Sequence, residues 1–258
     1  MLKKLFKYDF LWIMKTLPYF YIAVLVLGVC TLFTNKMYNT NLTVLAWLII
    51  DKIVSALLLF ACFATGITTL IRCFLRFRNN LYKDEAYLTH TLPVKRSALF
   101  ASKVLASFAA CTITIAVILI AYMIPMSAVK TWQWFKELID TQTVLLGIVF
   151  LEEVLALLLC IFAGVIIGNR SAKHRILTGV LMGALIYFAV SQVVGIGLVI
   201  TFVANSGVRL LFQESPDITA AKEALKLVSA ACFVTYSISC AAVYALDNKL
   251  FHKGVNVD

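Results

Sequence analysis

The sequence predicts an all-α, polytopic membrane protein with six transmembrane helices and an amphipathic helix ahead of the first. Three observations predict it. Of 258 residues, 62% are hydrophobic and only 14% charged, against about 25% charged in soluble domains. The mean hydropathy is +0.94. The apolar residues also gather into six continuous runs, each of about 17 residues or more, the lower limit for a helix that crosses a bilayer core.

The first element is basic and amphipathic. In Met1–Lys15, residues Leu2, Leu5, Phe6, Phe10 and Ile13 recur at helical spacing, with Lys3, Lys4 and Lys7 on other faces and Trp12 as an interfacial aromatic. Such a helix lies in the headgroup plane. No small-x-small cleavage site follows the apolar run ending near Phe33, so the segment is expected to stay rather than leave as a signal peptide.

The six runs are Leu17–Phe33, Leu42–Ile71, Ala98–Ala128, Thr143–Ile167, Ile176–Val203 and Leu225–Leu246. Backbone groups in lipid must be satisfied internally, and runs this continuous mean helices. The four prolines fit: Pro18 opens the first run, Pro125 closes the third, and Pro93 and Pro216 fall between runs. With both termini in the cytoplasm, the inner segments collect most of the Lys and Arg. There are four in the N-terminal segment, seven in Arg72–Lys103, three in Gly168–Arg175 and two in the tail. That bias sets orientation in the cell membrane. It also accounts for the net charge of +10 without nucleic acid as a partner; the partner it implies is the lipid bilayer. Trp47, Trp132 and Trp134 then fall at the outer interface. No linker or internal repeat divides the chain, so residues 1–258 read as one membrane domain. Seven cysteines are present, but no pair of C-x-x-C motifs, so neither a metal site nor a redox motif is predicted.

Residues 72–97 read as a cytosolic loop that carries a short helix. Asn79 or Asn80 would cap it, and it would run from Leu81 to about Thr89, with Leu81, Glu85 and Leu88 on one face. Pro93 would end it. Ser97 would cap the next span, leaving Asp84 and Glu85 exposed.

Within this stretch, DEAYLTHTLPVKRSALFASK from Asp84 to Lys103 resembles the cytosolic loop of bacterial ABC-2 type transporter permeases. Those run D-E-G-Y-L-T-x-T-L-P-V, followed by S-K in the third span. Asp84, Glu85, Tyr87, Leu88, Thr89, Thr91, Leu92, Pro93, Val94, Ser102 and Lys103 match. Ala86 stands where Gly is usual, and His90 where an aromatic is common. The resemblance implies a permease subunit, an exporter, whose coupling helix over 81–92 docks a separate ATP-binding subunit through Tyr82, Asp84, Glu85, Tyr87, Leu88, Thr89 and Pro93. It also implies a second permease subunit, like or unlike, that completes the path. ATP and Mg would be used by the partner. This chain has no G-x-x-x-x-G-K-[ST] phosphate cradle, so no cofactor is expected to bind it directly and it is not expected to be an enzyme. A non-transporting immunity or sensory subunit on the same scaffold is the alternative.

Charged residues inside the runs are the other candidates. Glu152 and Glu153 interrupt the fourth run. Carboxylates in membrane helices are costly and mark pathways or partner sites, so the pair is expected to line the translocation path. Adjacent helical residues point about 100° apart, so the two cannot face one partner equally. A Glu-Glu pair is similar to the motif of CAAX-processing intramembrane proteases. However, Leu157 and Leu158 stand where that motif needs Arg, and His90, His174 and His252 all fall in cytosolic segments. Asp51 and Lys52 interrupt the second run as a membrane charge pair, either bonded to a neighbouring helix or exposed at the rim. Gly164/Gly168 and Gly179/Gly183 have the G-x-x-x-G spacing that lets helices approach closely. That spacing marks a packing or dimer face, or arises by chance. His174 reads as a solvated basic residue, and residues 204–223 as an outer loop whose VRLLF could dip into the membrane.

Overall fold

The computed structural model describes residues 2–40, 45–82, 95–126, 141–171, 174–205 and 218–252, and every regular element among them is an α-helix. These are α1 (Leu2–Met14), α2 (Leu17–Thr40), α3 (Leu45–Tyr82), α4 (Arg96–Met126), α5 (Thr141–Gly168), α6 (Arg175–Ala204) and α7 (Ile218–His252). The last six are long and apolar enough to cross a membrane, so the chain is a multi-pass membrane protein. Each apolar run became one helix. Outward faces carry large exposed apolar side chains, among them Phe60, Phe63, Leu185, Phe188, Ile196 and Val199, as a surface solvated by lipid tails requires.

The helices outrun the apolar segments, most of all in α3. Its 38 residues span about 57 Å at 1.5 Å per residue, nearly twice a bilayer core of about 30 Å. Residues 72–82, expected as the start of a loop, are therefore a continuation of α3. Asn79 and Asn80 lie inside this helix and do not cap another. No Gly or Pro interrupts the stretch, and Cys73, Phe77 and Leu81, spaced i, i+4, i+8, are all buried. That stripe outweighs the weak helix propensity of two asparagines. At the other flank, the carbonyl of Lys95 accepts the backbone N–H groups of Ala98 and Leu99. Helix α4 thus opens at Arg96, and Ser97 is its second residue, not its cap. The rest of the expected coupling helix, residues 83–94, lies outside the described residues, as do Trp132, Trp134 and the VRLLF segment.

The chain divides into two compact units, Met1–Phe77 with Ala101–Leu138, and Arg78–Phe100 with Ile139–Asp258. The first holds α1, α2 and most of α3 and α4. Its apolar centre is Val24, Leu58, Cys62 and Ala121. A Cβ on Gly28 would sit 2.8 Å from the carbonyl oxygen of Ala121, so α2 and α4 touch backbone to backbone. Hydroxyls join the same helices. Thr114 of α4 bonds Tyr21 of α2 at 2.7 Å and Thr69 of α3 at 3.0 Å.

The second unit contains α5, α6 and α7, which pack on one another. Here the two G-x-x-x-G pairs face each other. A Cβ on Gly168 would lie 2.6 Å from the Arg175 carbonyl oxygen and from the Gly179 Cα, and one on Gly164 would strike the Gly179 carbonyl oxygen. The motif is a packing face between α5 and α6 of the same chain. His174 sits exposed at the N-cap of α6 with φ 59°, the left-handed turn that lets so short a connection reverse direction.

Candidate functional site

Glu152 and Glu153 are the twelfth and thirteenth residues of α5. Helix α5 starts at Thr141, which puts Glu152 about 16 Å along its axis, so the pair lies inside the span and not at its mouth. Their side chains part as helical geometry requires. Glu152 turns to α7, where Oε1 accepts the hydroxyl of Ser237 at 2.6 Å and its backbone carbonyl meets the thiol of Cys240 at 3.5 Å. Its Oε2 is buried with no hydrogen-bond partner among the described residues. Glu153 turns to α6 and accepts the hydroxyl of Tyr187 at 3.4 Å. Tyr236 is within electrostatic range of Glu153 and Tyr187. The result is two carboxylates among tyrosine, serine and cysteine side chains, with no Lys, Arg or His paired to either among the described residues. Such a setting attracts cationic groups and has acceptor capacity to spare. His174 and His252 stand at the ends of α6 and α7, apart from this cluster in sequence and helix position.

A second charged cluster went unread in the sequence. Asp9 of the basic helix α1 is buried. Its Oδ1 accepts Arg76 Nε at 2.7 Å, and both oxygens lie 3.3 Å from Lys103 Nζ. All three side chains are at most 12% exposed. Trp12, on the next turn, lies beneath the guanidinium groups of Arg72 and Arg76, each 5.4 Å from its ring centroid. Helix α1 is thus fixed by charge to α3 and α4, in addition to its apolar face. Lys103, singled out only by its resemblance, is a buried ionic anchor. The available signal was that Asp9 is the one acidic residue before Asp51, four positions from Ile13 on the buried face.

Of the residues expected to dock a partner, Tyr82 is described. It closes α3, half-buried, within electrostatic range of Arg170 and Asp247. Asp84, Glu85, Tyr87, Leu88, Thr89 and Pro93 lie outside the described residues. Before them, Asn80 and Leu81 are buried. After them, Phe100 of α4 packs on Tyr244 and Phe251 of α7, with ring centroids 5.5 and 6.0 Å apart. Helix α7 therefore seats the start of α4, and its Asp247 is close enough to Tyr82 to act on it electrostatically.

Asp51 and Lys52 separate in role. Asp51 is buried and accepts the hydroxyl of Thr34 in α2 at 3.0 Å. The Lys52 side chain is 75% exposed, with Nζ 3.9 Å from Asp51. A hydroxyl of a neighbouring helix holds the carboxylate, and the lysine contributes a weak contact from the adjacent position.

No family model, characterised protein or solved structure matches this chain.

Proposed function

We propose that this chain is the membrane subunit of an ATP-driven transporter of ABC-2 type, working as an exporter with both termini in the cytoplasm of a cell-membrane assembly. A separate ATP-binding subunit, which uses ATP and Mg, docks on the segment between α3 and α4. A second membrane subunit, identical or related, completes the path. The single observation that carries the reading is the Asp84–Lys103 resemblance, which covers the connection between the second and third span-length helices and the first residues of the third. Two features support it. The segment is joined directly to two long helices, so a push on it becomes a tilt of both. The Glu152/Glu153 cluster supplies polar lining inside a span, where charged groups mark pathways.

The test is co-expression with the ATP-binding subunit and purification through a tag on that partner. The wild-type chain is expected to co-purify. Reversing the handles with Asp84→Lys and Glu85→Lys is expected to abolish most of the complex while leaving the chain folded in the membrane. Equal recovery of wild type and variant would remove the docking role.

A further inference from the structure

Asp247 has no role in the site above, yet it is the most exceptional carboxylate of the second unit. It lies in the last turns of α7, it is fully buried, and neither of its side-chain oxygens has a hydrogen-bond partner among the described residues. A buried carboxylate left without a donor is costly, and an ionisable group inside a membrane helix points to function by default. Three residues further on, the carbonyl oxygen of Leu250 accepts the guanidinium of Arg170, which comes from the turn that joins α5 to α6. Residues i and i+3 are neighbours along one helix face. The occupied acceptor is a neutral carbonyl. The unbonded one, a turn away, is a carboxylate, whose two oxygens match the planar fork of an arginine and bind it more strongly. Tyr82, the last residue of α3, lies within electrostatic range of both groups.

We propose that Asp247 is the second seat of Arg170. The guanidinium rests on the Leu250 carbonyl in one state and moves a turn along α7 to the Asp247 carboxylate in another, when the ends of α3 and α7 shift. In the first state Arg170 is exposed and Asp247 fully buried. The exchange ties the turn between α5 and α6 to the flank of residues 83–94. Its use in coupling rests on the docking role proposed above, but the contact itself does not.

The experiment uses the full chain with its native cysteines replaced by alanine, reconstituted in lipid vesicles. Arg170→Cys is combined with Asp247→Cys and treated with a bifunctional thiol reagent as long as the two native side chains together. The control pairs Arg170→Cys with Ala245→Cys, two residues away and on another face of α7. Cross-linking of 170 to 247 several-fold above the control is expected, and yield no higher than the control overturns the proposal. A second readout uses Asp247→Leu in the native background. Removal of a buried carboxyl group that lacks a partner is expected to raise the midpoint of thermal unfolding, and a lowered midpoint would mark Asp247 as a bonded structural residue and overturn the idea. In complex with the ATP-binding subunit, the same variant is expected to lose nucleotide-driven turnover several-fold. If no such complex forms, the proposed function fails, while the cross-link still decides whether Arg170 reaches Asp247.

Discussion

Asp9 and Asp247 are both buried aspartates, one in each compact unit, and they are treated in opposite ways. Asp9 has Arg76 and Lys103 on its oxygens and an arginine-stacked tryptophan one turn away. Neither side-chain oxygen of Asp247 has a hydrogen-bond partner among the described residues. The contrast extends to the rest of each unit. In the first, Asp51 has its threonine donor and Thr114 bridges two helices. In the second, Glu152 leaves one oxygen without a partner among the described residues. A fully bonded charge has one good position. A partly bonded one has others to move to. The first unit is therefore read as the fixed part of the molecule, and the second as the part with room to change state.

Substitutions can break or sharpen this contrast. The largest effect is expected at Asp9. Asp9→Ala takes away the carboxylate that two buried cations share, and breaking a buried pair from one side costs about 3–5 kcal/mol. Unfolding in detergent should register that loss, and Asp9→Asn a smaller one. If Asp9→Ala unfolds like wild type, the first unit is no anchor.

Next in size are the glycines of the second unit. Gly168→Val and Gly179→Leu should drive α5 from α6 and cost about 1–3 kcal/mol or more, as overpacking does. Gly66 and Gly147 have nothing among the described residues within 4 Å of an added Cβ. Alanine there should be neutral or stabilise by up to about 1 kcal/mol, because glycine is a poor helix residue. Equal responses at the two kinds of glycine would contradict the close α5–α6 contact.

Thr34→Val strips the donor from buried Asp51 and should cost about 1–3 kcal/mol. Lys52→Gln, at an exposed side chain, should change stability by less than about 1 kcal/mol. The two measured side by side test the assignment of Asp51 to the hydroxyl of α2 and not to its neighbouring lysine.

Much of this fold was legible because lipid solvation imposes a simple rule, that a long apolar run must be a helix. The six runs and the basic amphipathic start follow from it. The helix ends do not, because they are set by packing and not by hydropathy. Helix α3 runs on through RCFLRFRNNLY on the strength of Cys73, Phe77 and Leu81, whose spacing is visible only if the charges between them are set aside. The separation of Glu152 from Glu153 was legible from the 100° turn per residue, but the partners Ser237 and Tyr187 were not, since neither position shows which helix it will face. Asp9 and Asp247 were hidden for one reason. Near the ends of apolar segments, a lone aspartate reads as a solvated terminus. In hindsight the stripe Ser237, Cys240, Tyr244, Asp247 and Phe251 along α7 places Asp247 on the inward face.

The measurement that bears most directly on the account is ATP turnover by the proposed complex of this chain with a separate ATP-binding subunit, reconstituted and compared with the Asp84→Lys and Glu85→Lys double variant. The account predicts that hydrolysis by the variant falls to the level of the ATP-binding subunit alone. Unchanged turnover would show that residues 83–94 transmit nothing, and the transporter reading would fall with them.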